Sequence, residues 1–344
     1  MKRLIALFLT VFMLSFAFAS CTENGDVSSA VDSSSTATSS DASTTEEKTL
    51  IRIAGMKGPT SIGLVGVMEN NDKGTANNKY EFTIAGAADE ITPLLIKGDL
   101  DIAAVPANLA SVLYNNTSGK IRLIAVNNLG VLYVVAKGET IESVADLKGK
   151  TILATGKGTT PEYTLRHILS ENGIDPDKDV TLDFKSEATE VVAAMTKAEN
   201  AVAMLPQPYV TVAKGKVEGL EVVIDLNEEW KKINDDSGIV TGVIVVRKEF
   251  AETNPEAVKK FLDEFKASSE FVNANVAEAA QLVEKFGIFA ADVAEKAIPQ
   301  CNITYIAGEA MKTPVNTYLG VLYANNEKSV GGKLPEDDFF YIAD

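Results

Sequence analysis

The sequence predicts an α/β fold of two similar lobes, each a central sheet flanked by helices, joined by two crossover strands. Three observations lead there. Short β-branched runs alternate with helical patterns, part of the chain repeats at an offset of one hundred residues, and two apolar Gly-Val segments match each other.

From Thr49 onward, residues 51–54, 81–85, 102–105 and 121–126 read as strands, with helical stretches at 62–70, 91–97 and 109–115 between them. This βαβα rhythm calls for a parallel sheet covered by helices. The rhythm then recurs without a gap. Ala54, Lys57, Gly58 and Thr60 coincide with Ala154, Lys157, Gly158 and Thr160; Ala88, Glu90, Lys97, Ala103, Pro106 and Val112 coincide with Ala188, Glu190, Lys197, Ala203, Pro206 and Val212. These ten identities over 62 positions compare with about four expected from composition. Their clustering at strand-to-loop junctions marks two lobes of like topology. Gly130-Val-Leu-Tyr-Val-Val and Gly242-Val-Ile-Val-Val are the expected crossovers. The chain then returns to lobe one with helical runs opened by Asn254-Pro255 and Asn275, and a closing run at 311–323. The expected organisation is lobe one at 49–130 and 243–344, and lobe two at 131–242.

The segment ahead of the lobes is of another kind. Lys2 and Arg3 precede an apolar run at 4–18, and Ala19-Ser20 leads into Cys21, so residues 1–20 read as a signal peptide. The apolar run is shorter than the roughly 20 residues of a spanning helix. Small residues followed by cysteine resemble a bacterial lipobox, with Phe18 where leucine is more usual, which makes Cys21 the expected lipidation site. Residues 21–48 are dominated by Ser, Thr, Ala, Asp and Glu with no apolar periodicity, as befits a disordered tether reaching roughly 25–30 Å. With Cys21 acylated, Cys301 has no disulfide partner and reads as a small buried hydrophobe.

The chain carries 48 acidic against 32 basic residues, a formal charge of −16, which argues against a nucleic-acid partner. The leader, the Ser/Thr tether, ADLKGKTI at 145–152, the GKGTTPEY loop, GDLDIAAVPANLASVLYN and VGGKLPEDDFFY together resemble the nitrate/sulfonate/taurine group of ABC solute-binding proteins. That group also includes thiamine-pyrimidine-precursor binders, and the last two segments look like a clostridial-type lipoprotein branch of it. The resemblance covers roughly residues 49–344. It implies a type II periplasmic-binding-protein fold, a small-molecule solute, and a partner permease with its ATPase. The expected state is a monomer, held to the extracytoplasmic face of the membrane by lipid alone.

In open α/β sheets ligands sit beyond the carboxyl ends of the strands. The junctions there supply the candidate site: Lys57, Gly58, Pro59 and Thr60 with Gly156, Lys157, Gly158, Thr159 and Thr160; Ala88 with Ser186 and Glu187; Asn108 with Gln207; and Gly130 and Thr241 at the crossovers. GKGTT follows a strand and opens a helix at Pro161, but lacks the spacing of a Walker loop. Free N–H groups at a helix start plus a lysine suit an anion, so the expected solute is an organic anion or an anion-bearing heterocycle. Alternatively the loop is a plain strand–turn–helix link and the lysines are solvated. Glu90 and Glu190 sit in first helical turns, where a carboxylate complements the helix dipole without any ligand. Tyr133, Tyr163 and Tyr209 can stack on a ring, and Asn108, Asn127, Asn128 and Gln207 can supply neutral hydrogen bonds.

His167 is the single histidine, no Cys/His cluster has metal-ligand spacing, and no nucleophile–base set stands out; neither a metal nor another cofactor is expected. The competing class is an enzyme of the same architecture acting on a pyrimidine or menaquinone precursor. The leader, the tether and the lack of nucleophiles weigh against it.

Overall fold

The computed structural model describes residues 48–234 and 238–343; the leader, Cys21 and the rest of the tether up to residue 47 lie outside the described residues. The described residues belong to one compact unit. The chain first lays down β1 (Leu50–Met56), α1 (Pro59–Ile62), α2 (Val65–Asp72), β2 (Lys79–Ala85), α3 (Ala88–Lys97), β3 (Ile102–Pro106), α4 (Ala107–Asn116) and β4 (Ile121–Leu129). Next come β5 (Leu132–Lys137), β6 (Thr151–Ala154), α5 (Thr160–Glu171), β7 (Thr181–Phe184), α6 (Ala188–Lys197), β8 (Ala201–Pro206), α7 (Tyr209–Lys216), β9 (Leu220–Asp225) and α8 (Leu226–Ile233). It ends with β10 (Val240–Arg247), α9 (Lys248–Thr253), α10 (Pro255–Ala274), α11 (Val276–Lys285), α12 (Ala291–Ala297), β11 (Ile303–Ala307) and α13 (Lys312–Asn325).

These strands make two sheets, ordered β11-β4-β10-β3-β1-β2 and β7-β6-β8-β5-β9. Read from β2, the first sheet runs β2-β1-β3-β10-β4, the same order as β7-β6-β8-β5-β9. The likeness extends to direction. β10 is antiparallel to β3 and β4, as β5 is to β8 and β9. In each sheet this reversed strand is the first strand laid down after the chain arrives from the other sheet. The passages lie at Gly130-Val131 and between Ile233 and Val240.

The repeat therefore has a structural counterpart. Helices α3 and α6 begin and end one hundred residues apart, and Pro106 and Pro206 close equivalent strands. The two Gly-Val segments are also counterparts, although their glycines are not. Gly242 pairs with Pro106, whereas Leu132 pairs with Pro206, so aligning Gly130 with Gly242 is off by two residues. Gly130 is needed elsewhere: a Cβ there would collide with the Asn227 side chain, and its carbonyl accepts from Asn302 Nδ2.

Side-chain alternation explains how the core is shared. In the wholly buried strand β3, Ala103 and Val105 face one apolar cluster while Ile102 and Ala104 face another on the opposite side. The first cluster continues across both lobes and includes Trp230 on α8 and Tyr318 on α13, whose rings lie 5.1 Å apart. Cys301 is fully buried, and burial pushes its thiol pKa far up, in keeping with a structural rather than a reactive role. The helix expected at 62–70 is broken at Gly63-Leu64. Ser268 of α10 is the cause: its Oγ donates to Gly63 O at 2.6 Å and accepts from Gly66 N at 2.9 Å. No helix among the described residues is long and apolar enough to cross a membrane.

Candidate functional site

Strands β1, β2 and β3 run in parallel and β4 shares their direction, because two antiparallel steps through β10 restore it. The carboxyl ends of β1, β3 and β4 and the start of β10 thus lie along one edge of the first sheet. The ends of β6, β7 and β8 and the start of β5 do the same in the second. Both passages between the sheets leave from these edges, so the edges face each other across a cleft.

Three helix starts on this cleft share one device, which α1, α4 and α7 lack. Gly86 N and Ala87 N each donate to Glu90 Oε1 at 2.9 Å, opening α3, and Ser186 N donates to Glu190 Oε2 at 3.1 Å ahead of α6. Ahead of α5, Gly158 N donates to Glu162 Oε2 at 2.6 Å. Each carboxylate lies four residues beyond an amide it caps, and each occupies an N–H that an anionic ligand would otherwise take. Gly156 and Gly158 both have φ near +75°, so the GKGTT loop does need its glycines for shape. Thr159 is the N-cap of α5, and its Oγ1 donates to Gly156 O at 2.7 Å.

Contacts already bridge the lobes. Asn108, fully buried at the start of α4, donates through Nδ2 to Gly158 O at 3.3 Å and to Ser329 O at 2.9 Å, and its Oδ1 accepts from Thr160 Oγ1 at 3.2 Å. Gln207 Nε2 donates to Gln300 Oε1 at 2.7 Å, and Tyr209 meets Phe289 edge-on at 5.1 Å. Glu187 lies against Gly86.

At the floor of the lobe-one edge the β4–β10 ladder breaks twice. Val240 pairs with Leu129, Gly242 with Asn128 and Val243 with Val126, which leaves Thr241 as an extra residue on β10 and Asn127 as one on β4. Successive side chains on a regular strand point to opposite faces, but a bulge re-aims them. Here both amides turn over the bare face of Gly242. A Cβ at Gly242 would collide with Asn128 Oδ1 and with Asn127 Oδ1, the latter at 2.5 Å. Asn127 Nδ2 donates to Thr60 O at 3.0 Å and Asn128 Nδ2 to Leu129 O at 3.3 Å, which fixes each amide with its oxygen outward. Asn127 Oδ1, Asn128 Oδ1 and Thr241 Oγ1 are buried, and no described residue bonds to any of them.

The sequence-predicted residues sort by this geometry. Thr60, Thr241, Asn127 and Asn128 come together around Gly242, with Gly58 and Pro59 buried in the same loop as Thr60. Asn108, Gly158 and Thr160 meet as a latch between the lobes, so the Asn108 amide, expected to face a solute, is used by protein groups. Gln207 departs likewise, lining an outer groove of about 470 Å³ with Gln300, Lys214 and Lys296. Lys57 and Lys157 are exposed and make no ion pair among the described residues. Ala88 is half-buried at the first position of α3; Ser186 and Glu187 are exposed before α6. Of the tyrosines, Tyr163 lines another outer groove and Tyr209 is taken by Phe289, while burial and nearby Asp225 push Tyr133 up to about 12. Glu162 and Gly242 were not anticipated. The Gly158-to-Glu162 spacing, repeated at Gly86/Glu90 and Ser186/Glu190, was the available signal for the first.

Comparisons with known proteins agree on the architecture. The family model described as NMT1/THI5 like matches residues 92–279. A Brucella abortus protein named as a candidate binding protein is 29% identical over 174 residues, 51% of this chain and 52% of that one. The chain thus matches about half the length of the curated relatives. The crystal structure of an ABC transporter protein from Parabacteroides distasonis superposes with a TM-score of 0.71 at 27% identity, covering 86% of this chain and 99% of that one. The alkanesulfonate-binding protein SsuA of Xanthomonas axonopodis pv. citri, bound to MOPS, gives 0.64 at 15% identity over 85% and 96% of the two chains. The fold is that of periplasmic binding proteins.

Because Glu162 is buried and caps the α5 loop while pairing with Arg166 at 2.8 Å, Glu162→Ala is expected to cost about 1–2 kcal/mol in denaturant unfolding. Glu90→Ala and Glu190→Ala, at exposed caps, should cost less. Equal losses for all three would contradict the distinction.

Proposed function

The chain belongs to the NMT1/THI5-like family, and from that membership we propose that it is an extracytoplasmic solute-binding protein that captures a small organic solute between its lobes and delivers it to an ABC permease and ATPase. The observation that carries this is the pairing of two sheets of like order whose carboxyl edges face each other and are joined by only two passages. Such a body changes shape by hinging at its two passages, one of them at Gly130-Val131. A solute touching both lobes favours the closed form, because only there are both sets of contacts made.

The finer reading of the solute as an anion or anion-bearing heterocycle rests on Lys57, Lys157 and the helix starts. Sulfonate binding, named for one structural neighbour, would use the same groups. In this chain Glu162 already occupies an amide at the start of α5, as Glu90 and Glu190 do ahead of α3 and α6, while α1 has no such carboxylate, and both lysines are solvent-exposed. We therefore assign the lysines a steering role at most, and no reaction is assigned to the cleft.

Dialysis of the purified protein against a mixed small-molecule extract, followed by native mass spectrometry, tests the reading. One solute should be retained, released with unchanged mass, and accompanied by a smaller radius of gyration and a higher Tm. Retention of nothing, or release of a chemically altered molecule, would overturn it. Anchoring through Cys21 is part of the proposal: Cys21→Ser should abolish incorporation of radiolabelled palmitate, and undiminished label would rule out the anchor.

A further inference from the structure

We infer that the buried end of the cleft reads hydrogen-bond donors: the solute presents adjacent N–H groups, as in a primary amide, amidine or guanidine, to Asn127 Oδ1 and Asn128 Oδ1. This deepens the solute-binding reading above and rests on it. Asn127 and Asn128 are 1% and 0% exposed, and each amide nitrogen is already committed to a backbone carbonyl. Each nitrogen spends one N–H there, and the groups left without any partner are the two oxygens, both acceptors. Turning either amide over would set its oxygen against the carbonyl it now bonds, so the acceptor face is fixed by the protein.

The cost of the arrangement argues for a use. An acceptor buried without a donor loses its hydration with nothing in exchange, and the β4–β10 ladder gives up regular pairing at two successive positions to bring these groups together. Glycine at 242 makes room for the two oxygens, which lie where its Cβ would be. Thr241 Oγ1, on the extra residue of β10, is a further buried group without a partner. An anion placed against Asn127 Oδ1 and Asn128 Oδ1 would face two carbonyl oxygens. N–H donors satisfy both oxygens at once. The site thus discriminates by chemistry that a sulfonate, phosphate or carboxylate group cannot supply.

The full-length protein and its Asn128→Leu variant, dialysed against the same mixed small-molecule extract, test this. Asn128 is the cleaner position, since Asn127 also holds Thr60 O. The solute retained by the wild type should carry at least two N–H donors at one end. Retention by Asn128→Leu should fall about tenfold or more, with the variant's own Tm unchanged or raised. Gly242→Ala, which sets a methyl against both oxygens, should also lose the solute, so a folding failure of one variant leaves the other to decide. A retained solute lacking N–H groups, or wild-type retention by both variants, overturns the inference while leaving solute binding intact. If the wild type retains nothing, solute binding itself fails and this inference with it.

Discussion

Two neighbouring β-bulges at the edge of the first sheet set the terms on which the lobes of this protein meet. They turn Asn127 and Asn128 to the same side, against the bare face of Gly242, and leave two buried acceptors without a partner at the edge facing the second sheet. In an open cleft water can hydrate these oxygens at little cost. In a closed one they need a donor, and about 1–3 kcal/mol per oxygen is at stake. Contacts between the lobes include the Asn108 latch, the Gln207–Gln300 bond, the Tyr209–Phe289 pair, the Thr164–Tyr318 and Asn325–His167 hydrogen bonds and the Trp230–Tyr318 ring pair. Unpaired acceptors at the floor weigh against these. The same groups would then confer affinity and couple binding to closure.

Helix capping sets the electrostatics around that floor. Three helix starts on the cleft use an internal glutamate four residues on, and so spend locally the N–H groups that other helix termini offer to anions. The fold alone does not fix the solute.

Much of this architecture was legible in the sequence. The two-lobed α/β order followed from the repeat at one hundred residues, because strand-to-loop junctions with Lys-Gly, Ala-x-Glu and Pro recur where the backbone must do the same thing twice. The likeness of the two Gly-Val segments was also real, though matching glycine to glycine slipped the register by two; Gly130 answers to Asn227 and not to the partner strand. The GKGTT loop does follow a strand and open α5, but the sequence pattern did not show that Glu162, one helical turn on, takes the Gly158 amide. Asn127 and Asn128 were visible as polar residues, but adjacent positions on a strand ordinarily face opposite ways. Only the pairing with β10, more than one hundred residues distant, shows that they converge.

On this reading, acceptors left without a donor oppose closure of the solute-free cleft. Spin labels at Lys97→Cys and Lys197→Cys, exposed and equivalent positions on α3 and α6, report the separation of the lobes in protein carrying Cys21→Ser, with buried Cys301 left unlabelled. Pulsed electron–electron resonance on solute-free protein should give mainly the longer, open distance, and adding Asn128→Leu should shift the distribution toward the shorter, closed one. Identical distributions with and without Asn128→Leu would contradict the claim.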